Sequence, residues 1–408
     1  MQQVYNYLFI RPFVKFGLIL IQLFFFLYAG LIPAWRSVNS DFPNYYTSSR
    51  MLKERADLSQ LYNNERFNEQ IHAYGIDQQG KFAPFPPPTA FVMLPLSGFD
   101  PLTAKRIWTC VNLLLLAFSI FLFRKISDLS LSSSLLFFLA GGMALVNNFY
   151  LGQIYLLILI GMQLSWLLSK RSPIIAGLIT SAGMSLKYFP LVILPSWILE
   201  KNKKALLWTF IGIALISLAS FAFIGQQACT DFVSSVLGKH LNSHLDGQSP
   251  YAAAFQSWDA FLMNVFVKDA TYNPSPLIDS PSMFFIAKFA IIIFFVVLTA
   301  RTLLVLKNHP HRSEYSLILF SFLIAVLSPA SASYHFLLLL MPIALLLKIH
   351  SEVRVVVITF FFVLFCGFCG VMVNGLPGHN LVLDFWRLWG MSGYFLYLSF
   401  CFPQIAQK

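Results

Sequence analysis

Asp41 is the residue whose type and place most readily do chemistry. It sits in Ser40-Asp41-Phe42-Pro43-Asn44-Tyr45-Tyr46, just past the first long apolar segment of the 408-residue chain. A carboxylate at a low-dielectric boundary can take a proton from a hydroxyl. The same residue type also caps helices routinely, and a helix starting near Asn44 would suit that role. Lys187 stands in Met184-Ser-Leu-Lys-Tyr-Phe-Pro190, one cation between two apolar runs. There it could hold a phosphate as a point charge, or simply snorkel to the interface. His335 follows the polar turn Ser328-Pro-Ala-Ser-Ala-Ser-Tyr, where an imidazole could bond an anion or a sugar hydroxyl. Asn147, Asn148 and Gln153 add neutral hydrogen-bonding groups at a further helix end, with capping or inter-helix bonding as the plainer reading of Gln153.

The elements that must position these groups are apolar helices. The chain is 57% hydrophobic and 11% charged, against about 25% charged in soluble domains. Apolar runs of roughly 17 to 25 residues recur throughout, the length that crosses a ~30 Å hydrocarbon core. The expected fold is an all-α polytopic membrane protein, and no alternating pattern of barrel strands is present. Segments at about 13–32, 101–123, 132–148, 153–169, 173–186, 188–199, 204–224, 283–306, 315–328, 334–349, 353–373 and 384–403 give about twelve transmembrane helices. A further run at 87–99 is too short to cross comfortably.

The net charge of +11 reads as basic cytoplasmic loops rather than nucleic-acid binding. With 87–99 not crossing, Arg124-Lys125, Lys170-Arg171, Lys201/Lys203/Lys204, Lys307/Arg312 and Lys348/Arg354 all fall inside, together with both termini. The chain is then one transmembrane domain, 1–408, with two long outer loops at 33–100 and 225–282. The first is expected to carry short amphipathic helices on the membrane surface, around 43–56 and 58–72. The second holds Asp231, His240, His244, Asp246, Trp258 and Asp259. On this topology Asp41, Asn148, Gln153, Lys187 and His335 all end on the outer side, where charges at membrane depth point to function.

Phe82-Ala-Pro-Phe-Pro-Pro-Pro88 is a stiff aromatic stretch that could form a wall for a sugar or a prenyl chain, with Phe85 at its centre. His309-Pro-His311 lacks a third ligand nearby, so no metal is expected there. Cys366-Gly-Phe-Cys369 has redox spacing, but lies inside an apolar segment without a βαβ context. There is no Asp-x-Asp pair for a metal-bound nucleotide sugar, no P-loop, no Gly-x-Ser-x-Gly and no His-Glu-x-x-His.

Read in order, Asp41-Phe-x-x-Tyr45-Tyr46, Leu61-Tyr62, Phe82 to Pro88, Met93-Leu-Pro-Leu96, Ala104-x-x-x-Trp108-x-x-x-Asn112, Gly152-Gln153, Gly177, Lys187-x-x-Pro190, Ser328-Pro329, His335 and Pro342 form a series. The series resembles the C-type membrane glycosyltransferases, in particular the polyprenyl-phosphate-mannose-dependent mannosyltransferases of glycosyltransferase family 87. That resemblance implies a catalytic aspartate in the long outer loop after helix 1, carried here by Asp41. It implies a monosaccharide, mannose-like, moved from a polyprenyl-phosphate donor to a glycolipid or glycan acceptor on the outer face of a bacterial inner membrane. Lys187 and His335 are then the candidates for the donor phosphate, with Tyr45, Tyr46, Gln153, Asn148 and Phe85 toward sugar or acceptor. No cofactor, metal or nucleic acid is implied; membrane lipids surround the chain. Transfer of arabinofuranose, galactofuranose or glucose is the enzymatic alternative, and a lipid-linked-sugar flippase or transporter the non-enzymatic one.

Overall fold

The structure, a computed structural model, describes residues 1–38, 41–241, 249–368 and 381–405. Among the described residues every regular element is helical, and the one β-feature is an isolated bridge between Asp269 and Asn273. Among the described residues, four helices are long and apolar enough to cross a bilayer: Pro12–Arg36, Pro101–Ser127, Lys203–Phe223 and Pro281–Val305. A fifth is assembled from Leu131–Ala140 and Met143–Tyr150, which meet at 77°. The bend falls at Gly141-Gly142, where Gly142 has φ +48°, and a Cβ there would lie 2.7 Å from the Gly367 carbonyl oxygen. Only glycine lets the two backbones approach this closely.

The other apolar helices are shorter: Tyr155–Leu168, Pro173–Leu186, Phe189–Leu199, Ser333–Ile349 and Val353–Gly367. Length and composition thus identify four or five crossings among the described residues; of the remaining segments of the expected twelve, 384–403 is an unbroken 20-residue helix, Trp386–Ile405, outside those four or five, and the others are short or broken. The Pro87–Leu96 stretch is two turns of 3-10 helix, Pro87–Phe91 and Leu94–Leu96. At ~2 Å rise per residue it reaches roughly 20 Å, short of the ~30 Å core. It does not cross alone.

Helix packing relies on small residues, as expected where lipid removes the hydrophobic drive between helices. Pro173–Leu186 lies against Lys203–Phe223 so closely that a Cβ at Gly177 would come within 2.5 Å of the Ala205 carbonyl oxygen. Thr209 donates to Ala205 O at 2.8 Å in the same seam.

The loop after Pro12–Arg36 folds back as Phe42–Glu54, a 3-10 turn at Leu58–Gln60, and Asn64–Ala73. Asn63 caps the last of these by accepting from the Glu65 and Arg66 N–H groups. Phe42–Glu54 is no surface helix. Phe42, Tyr45, Tyr46, Thr47, Ser48 and Ser49 are all fully enclosed, and the helix stops in a left-handed turn at Arg55. Ser49 donates to Ala90 O at 2.7 Å and accepts from the Met93 N–H at 3.1 Å, which ties the 87–96 segment to this helix. Its amphipathic pattern therefore marks burial inside protein, not a lipid face.

In the 225–282 loop, short helices span Gln226–Asp231, Leu237–Leu241 and Trp258–Phe266. Asp259 is paired with Lys288 at 2.7 Å. His244 and Asp246 lie outside the described residues, as do Ser40 and Cys369, so the Cys366/Cys369 spacing has no structural reading.

Candidate active site

Asp41 occupies the N-cap position of Phe42–Glu54, yet its side chain bonds to none of that helix's N–H groups. The carboxylate instead accepts a 2.6 Å hydrogen bond from the Gln153 amide, at Oδ2. Gln153 is itself held: its Oε1 accepts from the Tyr45 hydroxyl at 2.7 Å. Tyr45 and Gln153 are 0% and 1% exposed, so the pair forms a fixed brace behind Asp41. Among the described residues Asp41 makes no ion pair, and Oδ1 is left for a ligand.

Gln153 is aimed by a turn that the Pro101–Ser127 helix holds in place. Met143–Tyr150 ends at Leu151, Gly152 turns with φ +68°, and the Gln153 N–H donates to Asn148 O at 2.8 Å. Lys105 donates to Phe149 O at 3.1 Å and to Tyr150 O at 2.9 Å. Trp108 Nε1 donates to Gly152 O at 2.9 Å. One turn further on, Asn112 Oδ1 accepts from Asn148 at 3.1 Å. Positions 105, 108 and 112 share one helix face, so a single face grips the whole turn. Gly152 has no room for a side chain: a Cβ would lie 2.6 Å from Lys105 Nζ and 2.9 Å from Phe42 Cβ.

Lys105 was not among the sequence candidates, and it is fully buried. Burying an ammonium costs several kcal/mol, and a hydrogen bond to a charged group returns only about 1.5–3 kcal/mol. No carboxylate lies within ion-pair distance of it among the described residues. Its charge does act on Asp41, favouring the ionised carboxylate. Lys105 is therefore a positioning residue that holds the Gln153 turn and biases Asp41. Lys105→Met is expected to move the acidic limb of the pH–rate profile to higher pH, because removing the cation makes the carboxylate easier to protonate. A rate loss with an unmoved limb would reduce Lys105 to a structural prop. The visible sequence signal was a lysine in register with Trp108 and Asn112, but next to Arg106 it reads as one of two interfacial cations.

Lys187 terminates Pro173–Leu186 in an extended conformation, three residues before Pro190. Its ammonium lies 4.1 Å from the Phe85 ring centre and 5.5 Å from that of Tyr155. Phe85 stacks on Tyr45 at 4.7 Å, so the Phe85 ring lies between Tyr45 and Lys187. Lys187 makes no hydrogen bond or ion pair with the described residues. An ammonium held by ring faces keeps all three N–H donors for another partner.

Tyr155 is flanked by Tyr334 and His335, with ring centres at 4.8 and 4.9 Å. The 328–335 turn that carries them is clamped from two sides. Ser257 donates to Pro329 O at 2.8 Å, and Asn147 to the Ser333 hydroxyl at 2.7 Å.

Asp41, Phe85, Lys187, Tyr155, Tyr334 and His335 line one cavity of about 930 Å³. Tyr45 and Gln153 do not line it; they connect to it only through the hydrogen bonds Tyr45–Gln153 and Gln153–Asp41. Tyr46 and Asn148 are not brought there. The Tyr46 hydroxyl donates to Phe99 O at 2.7 Å and accepts from Arg50 at 3.0 Å, while the buried Asn148 amide donates to Asn112 Oδ1 and its own oxygen has no partner among the described residues. Tyr46 points away because it follows Tyr45 on the helix, about 100° round the axis. His309 and His311 are remote from the cavity, and no group of three metal-ligating side chains forms among the described residues.

The family model for glycosyltransferase family 87 matches residues 82–330. That span includes Phe85, Lys105, Gln153 and Lys187; Asp41 precedes it and His335 follows it. No curated protein and no solved structure matches the chain.

Proposed function

The chain belongs to glycosyltransferase family 87, and from that premise we propose that it moves one sugar, mannose-like, from a polyprenyl-phosphate carrier to a glycolipid or glycan acceptor at the outer face of the cell's inner membrane. The carrying observation is that Asp41 and Lys187 face one cavity without pairing with each other. A base and an anion site are both available there, as sugar transfer from a phosphate requires.

Asp41 Oδ1 accepts the proton of the acceptor hydroxyl as that oxygen bonds to the anomeric carbon. The bond from that carbon to the phosphate oxygen breaks, and the electron pair leaves with the lipid phosphate. Attack opposite the leaving group inverts the anomeric centre. Lys187 meets the charge that develops on the phosphate, and a donor aimed in advance at developing charge is the strongest electrostatic device available to a site. His335, on the same wall, assists at the phosphate. Tyr45 and Gln153 keep the carboxylate turned toward the acceptor.

The test is transfer of labelled sugar by the full chain reconstituted in lipid, with polyprenyl-phosphate mannose and a glycolipid fraction as substrates. Label in the acceptor is expected. Transfer only with arabinofuranose, galactofuranose or glucose carriers would change the sugar and keep the class. Passage of the carrier across the bilayer with no transfer would make the protein a flippase.

A further inference from the structure

Two helices that reach the cavity with their C-terminal halves start together at the opposite end of the bundle. They are Pro173–Leu186 and Lys203–Phe223. Gly177 lies on Ala205 and Gly212 on Ser181, so the two run parallel. Lys187 follows the far end of the first, about 21 Å from its start at 1.5 Å rise over 14 residues. The two starting turns are fastened to each other. Asn202 donates to Ser169 O at 2.8 Å and caps the second helix by accepting from the Ala205 N–H at 3.2 Å. Glu200 meets Lys170 at 3.6 Å and accepts from the Ser313 hydroxyl at 3.0 Å.

These turns carry five exposed cations: Lys170, Arg171, Lys201, Lys203 and Lys204. Glu200 is shared with Lys170, and Glu314, on the other side of Ser313, meets His311 at 3.4 Å. Arg171, Lys201, Lys203 and Lys204 have no carboxylate within ion-pair distance among the described residues. Local structure does not favour cations here. A helix start carries about half a positive charge, which repels lysine and arginine, and neither helix has an acidic residue in its first turn. Lys201 also holds a left-handed backbone, φ +56°, that a residue with a side chain adopts at a cost. Apolar side chains begin directly beside this charge. Ile175 is 51%, Ile198 61% and Leu207 57% exposed, each within four residues of one of these cations.

We propose that this end of the bundle binds an anionic phospholipid with two phosphates in its headgroup. The phosphates sit at the two helix starts and the acyl chains run along Ile175, Ile198 and Leu207. Dipole and cations both favour an anion at a helix start, and basic pockets between helices at a membrane surface hold such headgroups. Two parallel starts and four unpaired cations exceed what one phosphate can neutralise. A soluble acidic segment would meet the cations and leave the exposed aliphatic side chains in water, whereas a phospholipid covers both. The site stands a helix length from Lys187, so it is independent of the transfer reading.

The test titrates the full chain in neutral detergent with cardiolipin, which has two phosphates, and with phosphatidylglycerol, which has one, read by native mass spectrometry. One cardiolipin per chain is expected, bound roughly tenfold or more tighter than phosphatidylglycerol. Arg171→Gln/Lys203→Gln/Lys204→Gln is expected to weaken cardiolipin about 100-fold, near fivefold for each cation removed from a membrane surface. Arg124→Gln/Lys125→Gln/Lys348→Gln removes the same charge from other turns and is expected to leave the affinity within about threefold. All six side chains are exposed, and matched melting temperatures without lipid confirm that both variants fold. Equal losses in the two variants would mean diffuse attraction and overturn the site. So would equal affinity for the two lipids, no bound cardiolipin, or its displacement by soluble hexaglutamate.

Discussion

Asp41→Asn is expected to lower the rate of sugar transfer by about 10²–10⁴-fold, the usual worth of a positioned general base. Asparagine keeps the size of the side chain and an oxygen to accept from Gln153, so the loss is one of proton affinity, not of fold. The pH dependence gives a second reading. Asp41 lies in the loop between Arg36 and Phe42, outside the crossing helices. Burial raises its pKa above the ordinary carboxylate value, and the Gln153 hydrogen bond and the charges of Lys187, Lys105 and Lys81 offset that only in part. The base works in its ionised form. Activity should therefore rise with pH through a midpoint above the usual carboxylate range, and that limb should vanish in Asp41→Asn. A variant retaining more than a tenth of wild-type transfer would take the base away from Asp41.

Lys187→Met is the second large effect. The side chain keeps most of its length and an apolar end toward the Phe85 and Tyr155 rings, and loses the charged Nζ. A loss of about 10²–10³-fold in kcat/KM for the lipid donor is expected, comparable to removing one donor from an oxyanion site. The loss should fall on kcat as well as KM, because charge on the departing phosphate grows toward the transition state. Lys187→Arg should recover little. A guanidinium can also stack on the Phe85 ring, 4.1 Å from the Lys187 ammonium, but its larger planar fork offers the phosphate a different donor geometry from the compact ammonium. Full activity in Lys187→Met would leave Lys187 as an interfacial cation and move the phosphate site to His335.

The two substitutions also separate the roles. Asp41→Asn should leave binding of the polyprenyl-phosphate donor near wild type, whereas Lys187→Met should weaken it.

Much of this protein is legible before any coordinates. Apolar runs broken by basic turns suffice for a helical membrane protein, because the bilayer accepts no other arrangement of so much hydrocarbon and so little charge. Asp41, Lys187, His335 and Phe85 stand out because a charge or a stiff proline-rich break in such a chain has few bland uses. Three residues and one stretch read differently in three dimensions. Tyr46 and Tyr45 are neighbours in sequence, and helical rotation sends one to Gln153 and the other to Phe99. Asn148 looks as available as Gln153, yet it is buried away from the cavity with its amide donating to Asn112. The amphipathic pattern of 43–56 signals a covered face without saying whether lipid or protein covers it.

The sequence by itself determined the class of molecule and the candidate side chains, because hydropathy, charge and residue type are properties of the chain. Only the tertiary structure decided which of those side chains meet and what holds them. Gln153 reaches Asp41 across 112 positions, through a turn gripped by Lys105 and Trp108, and Lys187 reaches Phe85 across 102. Such pairings follow from helix packing and from a glycine with φ +68°, and neither leaves a local mark in the chain.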